Sequence, residues 1–313
     1  MIKKIIGLLK RPALIFNVMG NRGLFNWMDD QTYLKALYRV KMGKKLNISN
    51  PQTFNEKIQW LKLHDRKSIY TQMVDKYEAK KFVSSIIGDE YIIPTLGVWN
   101  NFNDIDFNKL PDQFVLKCTH DSGGLAICRD KNTFNYMNAK KKINKSLRKN
   151  FYWAQREWPY KNVVPQIIAE KYMEDTSHDR RELMDYKFYC FNGQPRFLYI
   201  SVGLEDHSTA SISFVSLDWK FEPFRRIDYK GFEELPPKPE HFDKMLEISK
   251  KLSKGTKFLR VDLYEINGHI YFSELTFSPN SGFMKFIPEK YDYEIGKMLN
   301  LGSDCEITDE ELL

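Results

Sequence analysis

Several kinds of chemistry are closed off by what this chain has little of. Its four cysteines, Cys118, Cys128, Cys190 and Cys305, form no Cys-x-x-Cys pair, so neither a disulfide scaffold nor a thiolate zinc site fits. Three of them fall inside apparent strands, as reduced core residues of a cytoplasmic protein do. The six histidines are scattered without His-Glu-x-x-His or other paired-ligand spacing, which removes the zinc hydrolases; only His120 sits in a segment of interest. No apolar run reaches the eighteen or so residues that a membrane-spanning helix needs. There is no Gly-x-Gly-x-x-Gly and no Gly-Lys-Ser/Thr phosphate loop. Glycine and proline, at 16 and 13, are not enriched, and no internal repeat is visible, so neither disorder nor a repeat array is expected.

What is present is a packed protein. With 313 residues, 42% hydrophobic, 22 Phe and 17 Tyr, the chain can bury a sizeable core and has length for two or three subdomains around one site. The net charge of +7 suits a protein that handles phosphates or other anions, but nucleic acid or a membrane surface would fit it too. Position separates these. The basic run from Ala139 to Asn150 has Tyr136, Ile143 and Leu147 at helical spacing, so its lysines read as a solvated helix face. No nucleic-acid-binding signature accompanies the charge, and no nucleic acid partner is expected. In the first twelve residues, MIKKIIGLLKRP, Ile2, Ile5, Ile6 and Leu9 share a helical face with lysines beyond it. Lys10-Arg11-Pro12 interrupts the apolar region too early for a signal peptide, which predicts a cytoplasmic chain. This end either docks on the protein or rests on the inner membrane surface.

The most informative segment is Phe258 to Gly282, FLRVDLYEINGHIYFSELTFSPNSG, in which Asp262 and Glu274 lie on two apolar strands joined by the hairpin turn Asn267-Gly268. Neighbouring carboxylates on apolar strands repel each other and lose hydration, so they call for a cation. Oxygen-only ligands suit Mg2+, which takes one or two carboxylates and completes its shell with water and phosphate. Arg260 shares the face of Asp262. The hairpin alone fits equally well two acids on a solvated side. Upstream, Phe114 to Ile127 (FVLKCTHDSGGLAI) delivers Lys117 at a strand end, before a loop in which Gly123 and Gly124 free backbone N–H groups for phosphate oxygens. A plain Gly-Gly turn beside a solvated lysine would also explain it. A third apolar strand, VVPQIIAEKYM, ends at Glu170-Lys171-Tyr172-Met173.

Taken in order, VDKYEAKK (Val74 to Lys81), FVLKCTHDSGG, IIAEKYM, DYKFYCFNG (Asp185 to Gly193) and the RVD-to-Glu hairpin resemble the ATP-grasp ligases, and more closely the branch named for teichuronopeptide biosynthesis, which is associated with bacterial surface polysaccharides. The resemblance spans roughly residues 30 to 295. It implies ATP and Mg2+ as cofactors and a role for each matched position. Lys76 and Lys117 would hold the α- and β-phosphates, and Ser122, Gly123 and Gly124 would form the lid over the triphosphate. The backbone of Glu170, Lys171 and Tyr172 would hold the adenine, and Asp185 the ribose. Asp262 and Glu274 would bind Mg2+, with Arg260 stabilising the phosphoryl group in transfer. Where most members have Asn two residues after the metal-binding Glu, this chain has Thr276, so the third ligand falls to Thr276 or Asn280.

The same resemblance implies an α/β (α+β) ATP-grasp fold: a mostly helical region over 1–110, a small lobe over 111–180 and a larger antiparallel lobe with the metal site over 181–313. It implies an acylphosphate that joins a small-molecule amine to a sugar carboxylate. Lys187, beside Asp185 in an apolar strand, is the leading candidate to touch that substrate, followed by Arg180, Arg181, Arg156, Trp153 and Trp158. Two other classes stay open. One is a glycosyltransferase of polysaccharide biosynthesis, a type that usually carries an Asp-x-Asp motif; the other is a nucleotide-binding module without turnover.

Overall fold

The computed structural model of the chain describes residues 12–177, 183–203 and 210–302. The amphipathic residues 1–11, Arg180, Arg181 and Cys305 lie outside the described residues. Five helices come first: α1 (Pro12–Asn21), α2 (Asp30–Met42), α3 (Phe54–His64), α4 (Ile69–Val74) and α5 (Glu78–Ile87). Local chemistry sets their ends. Gly43 closes α2 at φ 74°, a conformation a side chain would penalise. At the start of α3, Thr53 Oγ1 accepts from the Glu56 N–H at 3.2 Å while Glu56 Oε2 accepts from the Thr53 N–H at 3.1 Å, so two otherwise orphaned donors are satisfied reciprocally. The helix buries Phe54, Ile58 and Leu61, spaced for one face, whereas Trp60, expected beside them, is half-buried. Asn55, Gln59 and Lys62 are buried as well.

A four-stranded antiparallel sheet follows, ordered β1-β4-β2-β3, from β1 (Thr95–Trp99), β2 (Phe114–Cys118), β3 (Leu125–Cys128) and β4 (Ile167–Lys171). Helices α6 (Tyr136–Leu147) and α7 (Tyr152–Gln155) lie between β3 and β4 in the chain. Ala139 and Ile143 of α6 pack on Phe114 and Leu116, leaving Lys141, Lys142 and Lys145 exposed. The basic run is a solvated helix face.

The larger sheet, ordered β10-β9-β5-β6-β7, contains β5 (Asp185–Phe191), β6 (Gln194–Val202), β7 (Ser211–Ser216), β9 (Phe258–Ile266) and β10 (His269–Thr276). Strand alternation divides its residues by face. Tyr186, Phe188 and Cys190 pack with α5 and with Phe242, Met245, Ile248 and Leu252 of α8 (Phe242–Ser253). Met245 takes the core position expected of Leu246, which is half-buried. Asp185, Lys187 and Tyr189 point the other way, in register with Tyr264, Asp262 and Arg260. A two-stranded ribbon of β8 (Arg225–Arg226) and β11 (Phe286–Ile287), then α9 (Lys290–Lys297), complete the structure. No helix among the described residues is long and apolar enough to cross a membrane.

Helix α9 approaches the start of α3 closely because Gly296 has no side chain: a Cβ there would stand 2.3 Å from the Gln52 carbonyl and 2.8 Å from the Phe54 nitrogen. Glycine to alanine inside a helix ordinarily stabilises by up to about 1 kcal/mol. Here backbone atoms would have to move, so Gly296→Ala is expected to destabilise by about 2 kcal/mol or more, measured by urea unfolding.

Candidate active site

The β9–β10 hairpin turns at Asn267 and Gly268, with φ 52° and 73°, the left-handed pair that a two-residue hairpin loop requires. From the turn the strands pair regularly as far as Leu263 and Phe272. Then the register shifts by one residue, and Glu274 stands opposite Asp262. Ser273 is the extra residue of a β-bulge, and without it Glu274 would face Val261 on the other side of the sheet.

Asp262 has no solvent exposure, and both its oxygens are engaged. Arg260 donates to Oδ1 through Nε at 2.7 Å and to Oδ2 through an Nη at 2.6 Å; Lys187 donates to Oδ2 at 2.7 Å. Burial pushes the Asp262 carboxyl up, but Arg260 and Lys187 outweigh it and hold it below its ordinary range. Lys187 also lies 3.1 Å from Asp185 Oδ1, an ion pair without hydrogen-bond alignment. For Asp185 burial wins over Lys187, and its pKa is raised. Arg260 continues to the Thr276 hydroxyl at 2.9 Å and comes within 3.7 Å of Glu274. Glu274 is the open member: its side chain is 29% exposed, and Lys76 stands 3.6 Å away on the opposite side. Lys76 in turn donates to the Asp121 carbonyl at 2.6 Å, which ties it to the glycine loop.

In that loop Ser122 and Gly123 are exposed, while Gly124 is buried, with its N–H on Asp121 Oδ1 at 2.9 Å. A Cβ at Gly124 would collide with Cys118 Sγ at 2.4 Å. The other oxygen of Asp121 accepts from Ser146, and His120 is buried with Nε2 3.2 Å from the Ser146 carbonyl oxygen. Between the two sheets lies a cavity of about 240 Å3. Ile93, Val115, Leu125 and Ile127 give it an apolar wall; Lys117, Glu170, Lys171, Tyr172, Asp185 and Tyr264 supply its polar groups. Glu170 sits between two lysines, with Lys117 2.6 Å from one oxygen and Lys80 2.5 Å from the other. Burial acts to raise its pKa, but the two cations overcome this and bring it to about 2.

The chain belongs to the TupA-like ATP-grasp family. It matches the family described as TupA-like ATPgrasp over residues 56–300. Similar solved structures include the D-alanine–D-alanine ligase of Bacillus anthracis complexed with ATP (15% identity, 72% of this chain and 63% of that one, TM-score 0.40). Others are the D-alanine–D-alanine ligase of Helicobacter pylori (13%, 80% and 70%, 0.40) and a RimK domain ATP-grasp protein of Sphaerobacter thermophilus (11%, 74% and 69%, 0.40). This chain therefore spans less than two thirds of the Bacillus anthracis enzyme's length. No curated protein matches it.

Within this ATP-grasp fold most of the positions singled out in the sequence come together, and some do not. Asn280 is exposed and donates to the Phe283 carbonyl at 3.2 Å; Thr276 is the one that adjoins Arg260. Arg156 is fully buried, packed over Tyr33 and Trp153 and bonded to the Phe25 carbonyl, so it cannot face a substrate. The triplet Asp104-Ile105-Asp106, an Asp-x-Asp overlooked in the sequence, buries Ile105 against the four-stranded sheet with Phe114 and Leu116. Its acids bond to Asn101 and to the Asn108 N–H, not to the site. Lys80, Asp121 and Tyr264 were also missed. Only the proximity of Lys80 to Lys76 in VDKYEAKK hinted at the first. As a metal centre the hairpin fits partly: among the described residues no three His, Cys, Asp or Glu side chains group for a metal, but Glu274 is a partly exposed hard oxygen donor beside Asp262, whose own oxygens are held by Arg260 and Lys187.

Lys187 neutralises two buried acids at once. Lys187→Met is therefore expected to destabilise the fold by about 3 kcal/mol, and adding Asp185→Asn, which removes one uncompensated charge, to recover part of the loss in urea unfolding.

Proposed function

We propose that the chain is an ADP-forming carboxylate–amine ligase that uses ATP and Mg2+. We further propose that it joins an amino acid or another amine to a hexuronic acid of a surface polysaccharide through an acylphosphate. The observation that most supports the nucleotide half is the cavity between the sheets, whose apolar residues Ile93, Val115, Leu125 and Ile127 suit a flat base and whose lining also includes Lys117 from one sheet and Asp185 from the other. In this reading the backbone from Glu170 to Tyr172 takes the adenine edge and Asp185 a ribose hydroxyl. Lys117 and Lys76 hold the α- and β-phosphates, and Ser122, Gly123 and Gly124 cover them. Mg2+ held by Glu274 and Asp262, with Thr276 nearer than Asn280 to serve as a further oxygen donor, would screen the charge of the phosphates. Arg260, within 3.7 Å of Glu274, stabilises negative charge on the phosphoryl group as it moves to the carboxylate. Lys187 keeps Asp262 ionised and in place. Covering the site keeps water from the acylphosphate until the amine arrives. The uronic acid and the amine follow from the family's association with surface polysaccharides. The glycan could be lipid-linked or nucleotide-linked, which suits a cytoplasmic enzyme resting on the inner membrane surface through residues 1–12.

Calorimetry with ATP and Mg2+, against UDP-glucose and UDP-glucuronate, tests the nucleotide: ATP is expected to bind, and tight binding of a UDP-sugar without ATP would move the chain to the glycosyltransferases. ADP release from ATP and a uronic acid, with hydroxylamine displacing phosphate from the acylphosphate to give a hydroxamate, tests the chemistry. AMP in place of ADP would overturn it. Glu274→Gln should lower turnover at least about a hundredfold while leaving the unfolding midpoint near that of the parent.

A further inference from the structure

Lys80 lies behind the nucleotide cavity and does not line it. Only 7% exposed, it donates to the Ile93 carbonyl at 2.7 Å and to Thr95 Oγ1 at 3.3 Å, and its third partner is Glu170 Oε1 at 2.5 Å. Lys117 holds the other oxygen from the opposite side, at 2.6 Å, and its side chain is 28% exposed against 9% for that of Lys80. The carboxylate is thus shared between one lysine that can reach the cavity and one that cannot. We propose that Lys80 is a positioning residue for nucleotide binding: by neutralising Glu170 from behind, it lets Lys117 leave that carboxylate for the phosphates of ATP. The proposal rests on the reading that this cavity binds ATP.

The physical requirement is a counter-ion for a buried acid. Glu170 is 5% exposed, and an ion so placed cannot stand unpaired. If Lys117 were its only partner, turning to a phosphate would strand Glu170, and the ligand would have to overcome that cost. With Lys80 in place each oxygen has its own cation, so Lys117 departs from a carboxylate that remains compensated. One acid against two lysines also leaves a positive charge where a polyanion arrives.

The test is calorimetry of ATP with Mg2+, and separately of adenosine, with the parent, Lys80→Met and Lys80→Met/Glu170→Gln. Lys80→Met is expected to weaken ATP by about tenfold or more while changing adenosine by less than about threefold, since charge-assisted bonds to phosphate are what it loses. The double variant removes the acid that captures Lys117, and should bind ATP within about fivefold of the parent. It carries the test alone if Lys80→Met does not fold. Equal losses for ATP and adenosine, unchanged ATP binding by Lys80→Met, or a double variant weakened more than about tenfold would each overturn the proposal. Parent protein that binds neither ligand would overturn the ATP reading itself, and this proposal with it.

Discussion

A carboxylate with no access to water has to be neutralised by the protein that buries it, and Asp262 is such a group. Its two cations come from its own strand, as Arg260, and from the neighbouring one, as Lys187, so its charge fixes side chains on β5 and β9 together. The consequences spread outward. Lys187, once committed, compensates Asp185 at the cavity; Arg260, once committed, reaches Thr276 and Glu274 on β10. Glu274 is left with only long contacts to cations and with solvent on one side, which makes it the acid of the three most open to a metal. The smaller sheet, together with α5, repeats the device with different residues, burying Glu170 between Lys80 of α5 and Lys117 of β2. Beside each sheet, therefore, the buried charges are compensated by neighbouring side chains, so their energetic cost is met locally before any ligand arrives.

Much of this was legible in the sequence because it depends on local rules. The Asn267-Gly268 turn, the Thr53 cap with Glu56, and the alternation that puts Asp185 and Lys187 on one face each follow from spacing and residue type. The pairing of Asp262 with Glu274 was expected too, yet regular pairing from that turn would have put Glu274 on the wrong face. The Ser273 bulge corrects it, and a polar residue within an alternating strand carries no local mark of a bulge. Polar residues in the core were equally hard to see. Arg156 was a substrate candidate as a basic residue between the nucleotide elements, but Tyr33 and the Phe25 carbonyl, which help to bury it, are brought to it only by the tertiary fold.

The same limit hid the role of α3. Asn55, Gln59 and Lys62 lie about one helical turn apart, and they bond to main chain just beyond the β9–β10 hairpin. Asn55 exchanges two hydrogen bonds with Met284; Gln59 donates to the Ser281 and Gly282 carbonyls at 3.0 and 2.7 Å; Lys62 donates to Ser281 at 2.6 Å. From the segment between α7 and β4, Glu157 accepts from the Ser281 hydroxyl at 2.5 Å. Between them they hold Asn280, Ser281 and Gly282 at φ 47°, 54° and 68°. Left-handed residues other than glycine cost on the order of 1 kcal/mol each and persist only where the surroundings over-determine them. Here they turn the chain back at once after β10, five residues from Thr276 to Ser281, so the strand that carries Glu274 ends at a fixed point. The helices ahead of the sheets are thus part of the site's construction: the turn that follows β10 is held by a polar face of α3 that lies more than two hundred residues earlier in the chain.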